Sequence, residues 1–246
     1  MDDPDGHFGE SVAQTYDGVG APGSEFDPAV IARTADVLAE LAGKAGNALE
    51  FAIGTGRIAV PLAERGVDVH GIDMSRAMVA RLASKNDTIP VTIGDFSQTR
   101  VDGEFDLVYL VFNTVMNLTT QEAQVDCFAN AAAHLRPGGR FLIEVMIPEL
   151  RKLPAGQTVV PFTVTPSHWG FDSYEVATQA MASNYVTLHE DGRGEFSAVP
   201  FRYLWPSEMD LMARIAGLRP EHRWESWERD PFTNESSKII ATWVKP

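Results

Sequence analysis

The stretch Ala48–Asp73, ALEFAIGTGRIAVPLAERGVDVHGID, decides the architecture of this chain. Its first six residues, Ala48 to Ile53, are an apolar run with the length and flanks of a buried parallel strand. The turn Gly54-Thr55-Gly56-Arg57 follows, then a helical pattern with Ile58, Pro61 and Leu62 in its first turns. After Gly66 a second apolar strand runs from Val67 through Ile72 and ends on Asp73. Strand, glycine loop, helix, strand and acid make the first βαβ unit of a nucleotide-binding sheet. Gly54 and Gly56 let the backbone turn sharply and leave no Cβ where a ligand approaches. The following helix points its amide-rich start at the ligand. A carboxylate at the tip of the second strand suits a ribose diol, because it accepts two hydroxyl hydrogens. About twenty residues separate Gly54 from Asp73, which is the spacing such a unit requires. Without Asp73 the glycines would signify no more than a tight strand-to-helix turn.

Two nucleoside ligands compete for this unit. Gly54-x-Gly56-x-x-Ala59 satisfies the dinucleotide fingerprint and admits a nicotinamide cofactor. Against that, Glu50-Phe51-Ala52-Ile53-Gly54-Thr55-Gly56-Arg57 resembles the first motif of class I S-adenosylmethionine-dependent methyltransferases, with Ala52 where the family usually has its first glycine. Ile93-Gly94-Asp95-Phe96, closing a third strand that starts near Ile89, resembles the family's Gly-Asp element. There the acid faces the adenine amino group and the apolar neighbour packs on the ring. Leu135-Arg136-Pro137-Gly138-Gly139-Arg140, before Phe141–Val145, resembles its turn into the fifth strand. The resemblance spans about residues 48–147 and implies an α/β class I methyltransferase fold, a Rossmann-like seven-stranded sheet, with S-adenosyl-L-methionine as cofactor. It implies cofactor contacts from Tyr16, Glu50, Ala52, Gly54, Thr55, Gly56, Arg57, Asp73, Met74, Gly94, Asp95, Phe96, Val111, Phe112 and Asn113.

Composition narrows the partners. Twenty basic against thirty-four acidic residues give a net charge of −14, a field that repels nucleic acid and anionic membrane surfaces. No apolar run approaches the length of a membrane span, and the start of the chain lacks a signal pattern. The single cysteine, Cys127, precludes an internal disulfide and fits a reducing compartment. The expected location is cytoplasmic. No convincing set of metal ligands can be assembled, so no metal is expected; a homodimer is compatible with the chain.

Four segments are expected. Residues 1–26 read as an N-terminal tail and lid, with Met1–Glu10 frayed and a glycine-rich link at Gly18–Gly23. Tyr16-Asp17 resembles the lead-in of several small-molecule methyltransferases, in which this segment folds over the cofactor; Tyr16 could equally be an aromatic plug that ties down a loose terminus. Residues 27–149 form the cofactor-binding α/β core, opened by Asp27-Pro28 as N-cap and first helical residue. A helix begins at Met74-Ser75, and the fourth strand runs from Phe105 to Phe112. It delivers Asn113 to the carboxyl edge, where this residue either bonds an acceptor or serves as a turn. Gln121–Leu135 is a helix that places His134 in its last turn, where a cation or donor suits the helix dipole, a structural role. Residues 150–205 carry β-type runs at 158–165, 174–180, 185–189 and 196–204, punctuated by prolines and the hairpin signal Asp191-Gly192. They resemble the small antiparallel β insertion after strand five that roofs the acceptor in some aminosugar N-methyltransferases of antibiotic pathways. Residues 206–246 supply a helix, capped by Ser207, and the strands 219–227 and 237–244, a closing antiparallel pair that argues against a dehydrogenase.

Such an enzyme mainly aligns donor and acceptor for an in-line displacement. A base is needed only where the nucleophile must lose a proton. Tyr16, Asn113 and His168 are the candidates for chemistry. His168 adjoins Trp169 in the insertion and either contacts the acceptor or sits in a surface loop. Trp169, Phe171, Tyr174, Tyr203, Trp205 and Trp227 either line an apolar cavity or pack. The expected reaction is transfer of methyl to nitrogen or oxygen of a small molecule, a secondary metabolite, with an amine favoured by the overall resemblance. A non-catalytic binder of the cofactor, a nicotinamide-dependent reductase and a cyclase using the cofactor as scaffold remain the alternatives.

Overall fold

The computed structural model describes residues 8–18 and 23–246. His7, most of the tail and most of the 18–23 link lie outside the described residues. In chain order the elements are α1 (Glu10–Thr15), α2 (Pro28–Ala42), β1 (Asn47–Phe51), α3 (Ala59–Glu64), β2 (Asp68–Asp73), α4 (Arg76–Lys85), β3 (Val91–Ile93), β4 (Phe105–Leu110), α5 (Gln121–His134) and β5 (Leu135–Met146). Then come β6 (Val159–Val164), β7 (His168–Glu175), β8 (Ala180–Leu188), β9 (Gly194–Arg202), α6 (Pro206–Ile215), β10 (Arg219–Trp224) and β11 (Lys238–Val244).

Seven strands form the main sheet in the order β10-β11-β5-β4-β1-β2-β3. The strands from β3 to β5 run parallel, and β11 is antiparallel to both β5 and β10. Strand order reverses between β1 and β4, and this switch point opens a crevice at the carboxyl ends. The sheet is covered on both faces, as its near-continuous apolar strands require. Along β4, Val108 and Leu110 join a cluster with Phe128, Phe141 and Trp243. Leu107 and Tyr109 join the opposite cluster with Leu38, Leu62 and Ile240.

Local chemistry sets the helix starts. Asp27 caps α2 by accepting the Ala29 N–H (2.9 Å), with Pro28 at the first position. Ser75 caps α4 through Met78 N (3.1 Å), and Thr120 caps α5 through Ala123 N (3.1 Å). Ser207 does not cap α6. Pro206 already occupies the first helical turn, so Trp205 is the cap residue and provides no side-chain bond. Of the two roles open to His134 the structure shows the donor: its Nδ1–H donates to Asn130 O (2.8 Å), its Nε2 accepts Val101 N–H (3.0 Å), and burial pulls its pKa down.

Strands β6–β9 form a separate antiparallel sheet in that order. Its Val160, Tyr174 and Met181 enter the core on the α5 side of the main sheet. A buried polar knot reinforces the join. Arg202, 5 % exposed, donates to Gln124 Oε1 (2.5 Å), Gln179 Oε1 (3.0 Å) and Glu208 Oε1 (2.8 Å), tying β9 to α5 and α6. Among the described residues no helix is long and apolar enough to cross a membrane. Removing the guanidinium strands a largely buried carboxylate, so Arg202→Ala is expected to cost about 3 kcal/mol or more in urea unfolding. An effect below about 1 kcal/mol would show the knot to be incidental.

Candidate active site

The glycine loop leaves β1 through three left-handed residues, Ala52 (φ 54°), Gly54 (φ 57°) and Gly56 (φ 75°). The glycines do different work. Gly54 fronts open space and lines the crevice, whereas a Cβ on Gly56 would come within 2.3 Å of Leu82 Cδ1, so this glycine lets the loop sit down on α4. A Cβ on Gly94 would fall 2.2 Å from Thr99 Oγ1. Gly94 is therefore a packing glycine.

Asp73, 7 % exposed at the end of β2, clamps this region. One carboxylate oxygen accepts Gly54 N–H (2.7 Å) and the other accepts Ser75 N–H (2.8 Å). Beside it lies a cavity of about 330 Å³ lined by, among others, Asp73, Met74, Asp95, Phe96, Gly54 and Tyr16. Asp95 also receives Ser97 N–H (2.8 Å), and Phe96 leans on Phe51 at 5.9 Å.

A smaller recess adjoins it, sharing Tyr16, Ala52, Gly54 and Thr114, and adds Glu50, Thr55, Arg57, Val111 and Phe112 to the wall. Burial pushes the Glu50 carboxyl up to about 8, although the Tyr109 hydroxyl donates to it (2.8 Å) and Arg57 opposes the shift. The Arg57 guanidinium lies over Phe112 (3.7 Å), Phe26 (4.4 Å) and Tyr16 (5.8 Å) and donates to Glu25 O. Its buried Nε has no hydrogen-bond partner among the described residues.

Residues 8–18 cross the mouth of the crevice. Phe8 and Tyr16 line the larger cavity, and Ser75 Oγ donates to Phe8 O (2.7 Å). Asp17 anchors the segment: it accepts Thr55 Oγ1–H (2.6 Å) and pairs with Lys85 (2.7 Å), which also donates to Thr55 O (2.8 Å). Burial works against the Asp17 charge, but the Lys85 and Thr55 hydrogen bonds prevail and hold its carboxyl below the usual range. The Thr55 side chain is thus spent on this latch.

Two of the three residues singled out for chemistry line neither compartment, although Asn113 lies between Phe112 and Thr114 of the recess wall and lines a further cavity with Phe112 and Glu144. Asn113, in the left-handed region at φ 63°, accepts Met146 N–H (2.6 Å) and donates its own N–H to Glu144 O (3.2 Å). It is the turn residue that ties β4 to β5. His168 opens β7 rather than sitting in a loop; it lies beside Thr187 (3.1 Å) and stacks on Tyr185. It is six residues along the strand from Tyr174, which enters the core. Tyr16 alone of the three faces the crevice. Glu144 was not anticipated: it is buried and takes hydrogen bonds from Phe112 N (3.2 Å), Trp227 Nε1 (3.1 Å) and Lys238 Nζ (3.1 Å). A lone acid inside an apolar strand was the one signal for it. Among the described residues no group of three His, Cys, Asp or Glu side chains is placed to hold a metal ion.

A seven-stranded sheet closed by an antiparallel pair, with a diol-ready carboxylate beside the glycine loop, defines a nucleoside-binding α/β enzyme. The recess adds one carboxyl and one guanidinium, a donor set that fits a zwitterionic amino acid joined to that nucleoside. The chain is a class I S-adenosylmethionine-dependent methyltransferase, with residues 48–139 matching the family described as a methyltransferase domain. It is similar to the CcbJ methyltransferase of Streptomyces caelestis, at 29% identity and a TM-score of 0.84, over 97% of each chain. It is 27% identical over 206 residues to a Streptomyces cypemycin N-terminal methyltransferase, covering 78% of this chain and 80% of that one. It is also 27% identical, over 110 residues, to the dTDP-3-amino-3,4,6-trideoxy-alpha-D-glucopyranose N,N-dimethyltransferase of Streptomyces venezuelae, covering 45% and 46% of the two chains.

The raised Glu50 carboxyl has a consequence for stability. A folded pKa of about 8 against an ordinary 4.5 means that folding favours the protonated form. Its contribution is full below about pH 4.5 and is lost as pH rises through about 8, at about 1.4 kcal/mol per unit. Glu50→Gln keeps an acceptor for Tyr109 and is expected to lose less melting temperature than the wild type between about pH 5 and pH 8. Parallel curves for the two proteins would refute the assignment.

Proposed function

We propose that this chain transfers the methyl group of S-adenosylmethionine to the amine nitrogen of a small secondary metabolite. The observation that carries the cofactor roles is the divided crevice, which offers Asp73 in one compartment and Glu50 with Arg57 in the next. Asp73 would accept the ribose hydroxyls, and Asp95 and Phe96 would hold the adenine. Arg57, with a buried donor to spare, would take the amino acid carboxylate, and Glu50 its ammonium. The bound cofactor supplies an activated methyl on a sulfonium. The chain's own residues would then align and enclose: Tyr16 and Phe8 line the mouth of the crevice and would shut it, and the inner side of the β6–β9 sheet would cover the acceptor. Gly56 and Gly94 serve packing in this reading, and Asn113 and His168 take no chemical part.

Amine acceptors are favoured by two considerations. One of the relatives is named as an N-terminal methyltransferase and another as the N,N-dimethyltransferase of an amino sugar. No histidine or lysine lines either compartment among the described residues. An amine nitrogen needs no base once it is neutral, whereas a hydroxyl must be deprotonated as it attacks. The net charge of −14 also draws cationic amines in.

S-adenosylhomocysteine is expected to raise the melting temperature, while NADH and NADPH leave it unchanged. Asp73→Ala and Arg57→Ala are each expected to weaken that ligand by about tenfold or more in calorimetric titration. Full affinity in either variant would remove that residue from the cofactor site. Mass spectrometry of amine and alcohol libraries should show methyl gained on amines only.

A further inference from the structure

The paired register of β4 and β5 ends at Leu110 and Ile143, and the chain then turns through two consecutive left-handed residues, Phe112 (φ 58°) and Asn113 (φ 63°). An aromatic residue keeps this conformation only where its surroundings fix it. Here one residue of β5 captures both backbone N–H groups. Phe112 N–H donates to Glu144 Oε2 (3.2 Å), and Asn113 N–H donates to the Glu144 carbonyl (3.2 Å). The carboxylate is itself fixed through its other oxygen. Oε1 accepts Trp227 Nε1–H (3.1 Å), from the loop after β10, and Lys238 Nζ–H (3.1 Å), from the first residue of β11. Glu144 and Trp227 are both buried, so water has little access to replace these partners. Donors reach both oxygens, which suits a carboxylate; an amide would turn an N–H toward one of them.

The Phe112 ring bears on the cofactor recess. It stands in the wall with Glu50 and Arg57, and the Arg57 guanidinium lies 3.7 Å from its centroid. The other groups around that guanidinium, Tyr16, Glu25 and Phe26, belong to the segments that precede α2. Phe112 is the support that comes from the main sheet. A guanidinium rides on a long flexible side chain, and an aromatic face that it stacks on restricts its travel. The anchor of the Phe112 backbone therefore sets where Arg57 meets a ligand. We infer that Glu144 is a positioning residue for cofactor binding. It holds Phe112 against Arg57 and so fixes the guanidinium for the amino acid carboxylate of S-adenosylmethionine. This rests on the reading of Arg57 proposed above and adds what keeps Arg57 in place. Glu144 lines neither compartment of the crevice and acts only through Phe112. The closing strand pair gains a part in the site as well, because Trp227 and Lys238 reach the recess through Glu144.

The test is calorimetric titration of the full chain with S-adenosylhomocysteine and with methylthioadenosine, which keeps the nucleoside and the sulfur but lacks the amino acid. Glu144→Gln preserves size and loses one set of donors. It is expected to weaken S-adenosylhomocysteine by about three- to tenfold and to leave methylthioadenosine unchanged. Phe112→Leu, which keeps the main-chain bond and removes the ring, should do the same. The double variant Arg57→Ala/Glu144→Gln should bind S-adenosylhomocysteine no more weakly than Arg57→Ala alone, because residues that act through one contact do not add. This comparison decides even where methylthioadenosine binds too weakly to titrate. Additive losses would show that Glu144 acts without Arg57 and would overturn the inference. An equal loss of both ligands would mark Glu144 as merely structural and overturn it too. If Arg57→Ala weakens S-adenosylhomocysteine while Glu144→Gln does not, the inference alone falls. Full affinity in Arg57→Ala removes the reading of Arg57, and the inference with it.

Discussion

The Asp73 carboxylate, held by two backbone N–H groups, is the constraint on which the crevice depends. A carboxylate this buried is expensive unless it is hydrogen-bonded, and bonds from backbone amides to an ionised acceptor are among the stronger ones. Gly54 N–H comes from the loop after β1 and Ser75 N–H from the cap of α4. One side chain therefore fixes the loop, the end of β2 and the start of a helix relative to one another. The loop must turn back to reach it, which is why Ala52, Gly54 and Gly56 all occupy the left-handed region. Ala52 does so with a Cβ, at a cost of about 1 kcal/mol, and the clamp holds it there.

The segment 8–18 depends on the same parts. Its anchors end on Ser75, Thr55, Lys85 and Arg81, which belong to the clamped loop or to α4. Apolar contact adds to these ties: Ala13 is buried with Ala77 and Met78 of α4, and Phe8, Val12 and Tyr16 pack against them. The ties also report on the site beneath, because Asp17 reads the position of Thr55 and Arg57 stacks on Tyr16. Closing the cover and ordering the glycine loop are two descriptions of one set of contacts.

The main sheet was legible because its signals are local: apolar strands, glycines at fixed offsets and an acid in register. The roof was legible only as a class of structure. Its Asp191-Gly192 turn stands out, but the β7–β8 hairpin turns through Val176–Gln179 with no glycine or proline, and Gln179 takes the left-handed conformation (φ 61°). A run read as the strand 174–180 is in fact the end of β7, that turn and the start of β8. The same blindness covers Phe112 and Asn113, two consecutive left-handed residues of ordinary type. Their conformation follows from bonds to β5, thirty residues away, and no local pattern announces it. The Asp17 latch and the Arg57 stack were hidden for the same reason. Each joins residues far apart in sequence, and charge and aromatic content alone do not say which pairs will meet.

Methyl transfer by displacement tolerates little error in the alignment of donor and acceptor, so the attachment of the roof matters more than its surface. The Arg202 knot fastens β9 to Gln124 of α5 and Glu208 of α6. Gln124 also donates to Leu118 O (3.1 Å), in the wall of the larger cavity, and Thr120 at the start of α5 lines that cavity itself. The roof and the nucleoside compartment are thus mounted on one helix by buried bonds rather than joined through a hinge. On the proposed reading, donor position would be set by the clamp at Asp73 and acceptor position by the knot at Arg202, with α5 as the shared rigid member. If the acceptor binds under the roof as proposed, side chains on its inner face could vary without disturbing the geometry between the two sites, provided that the knot stays intact.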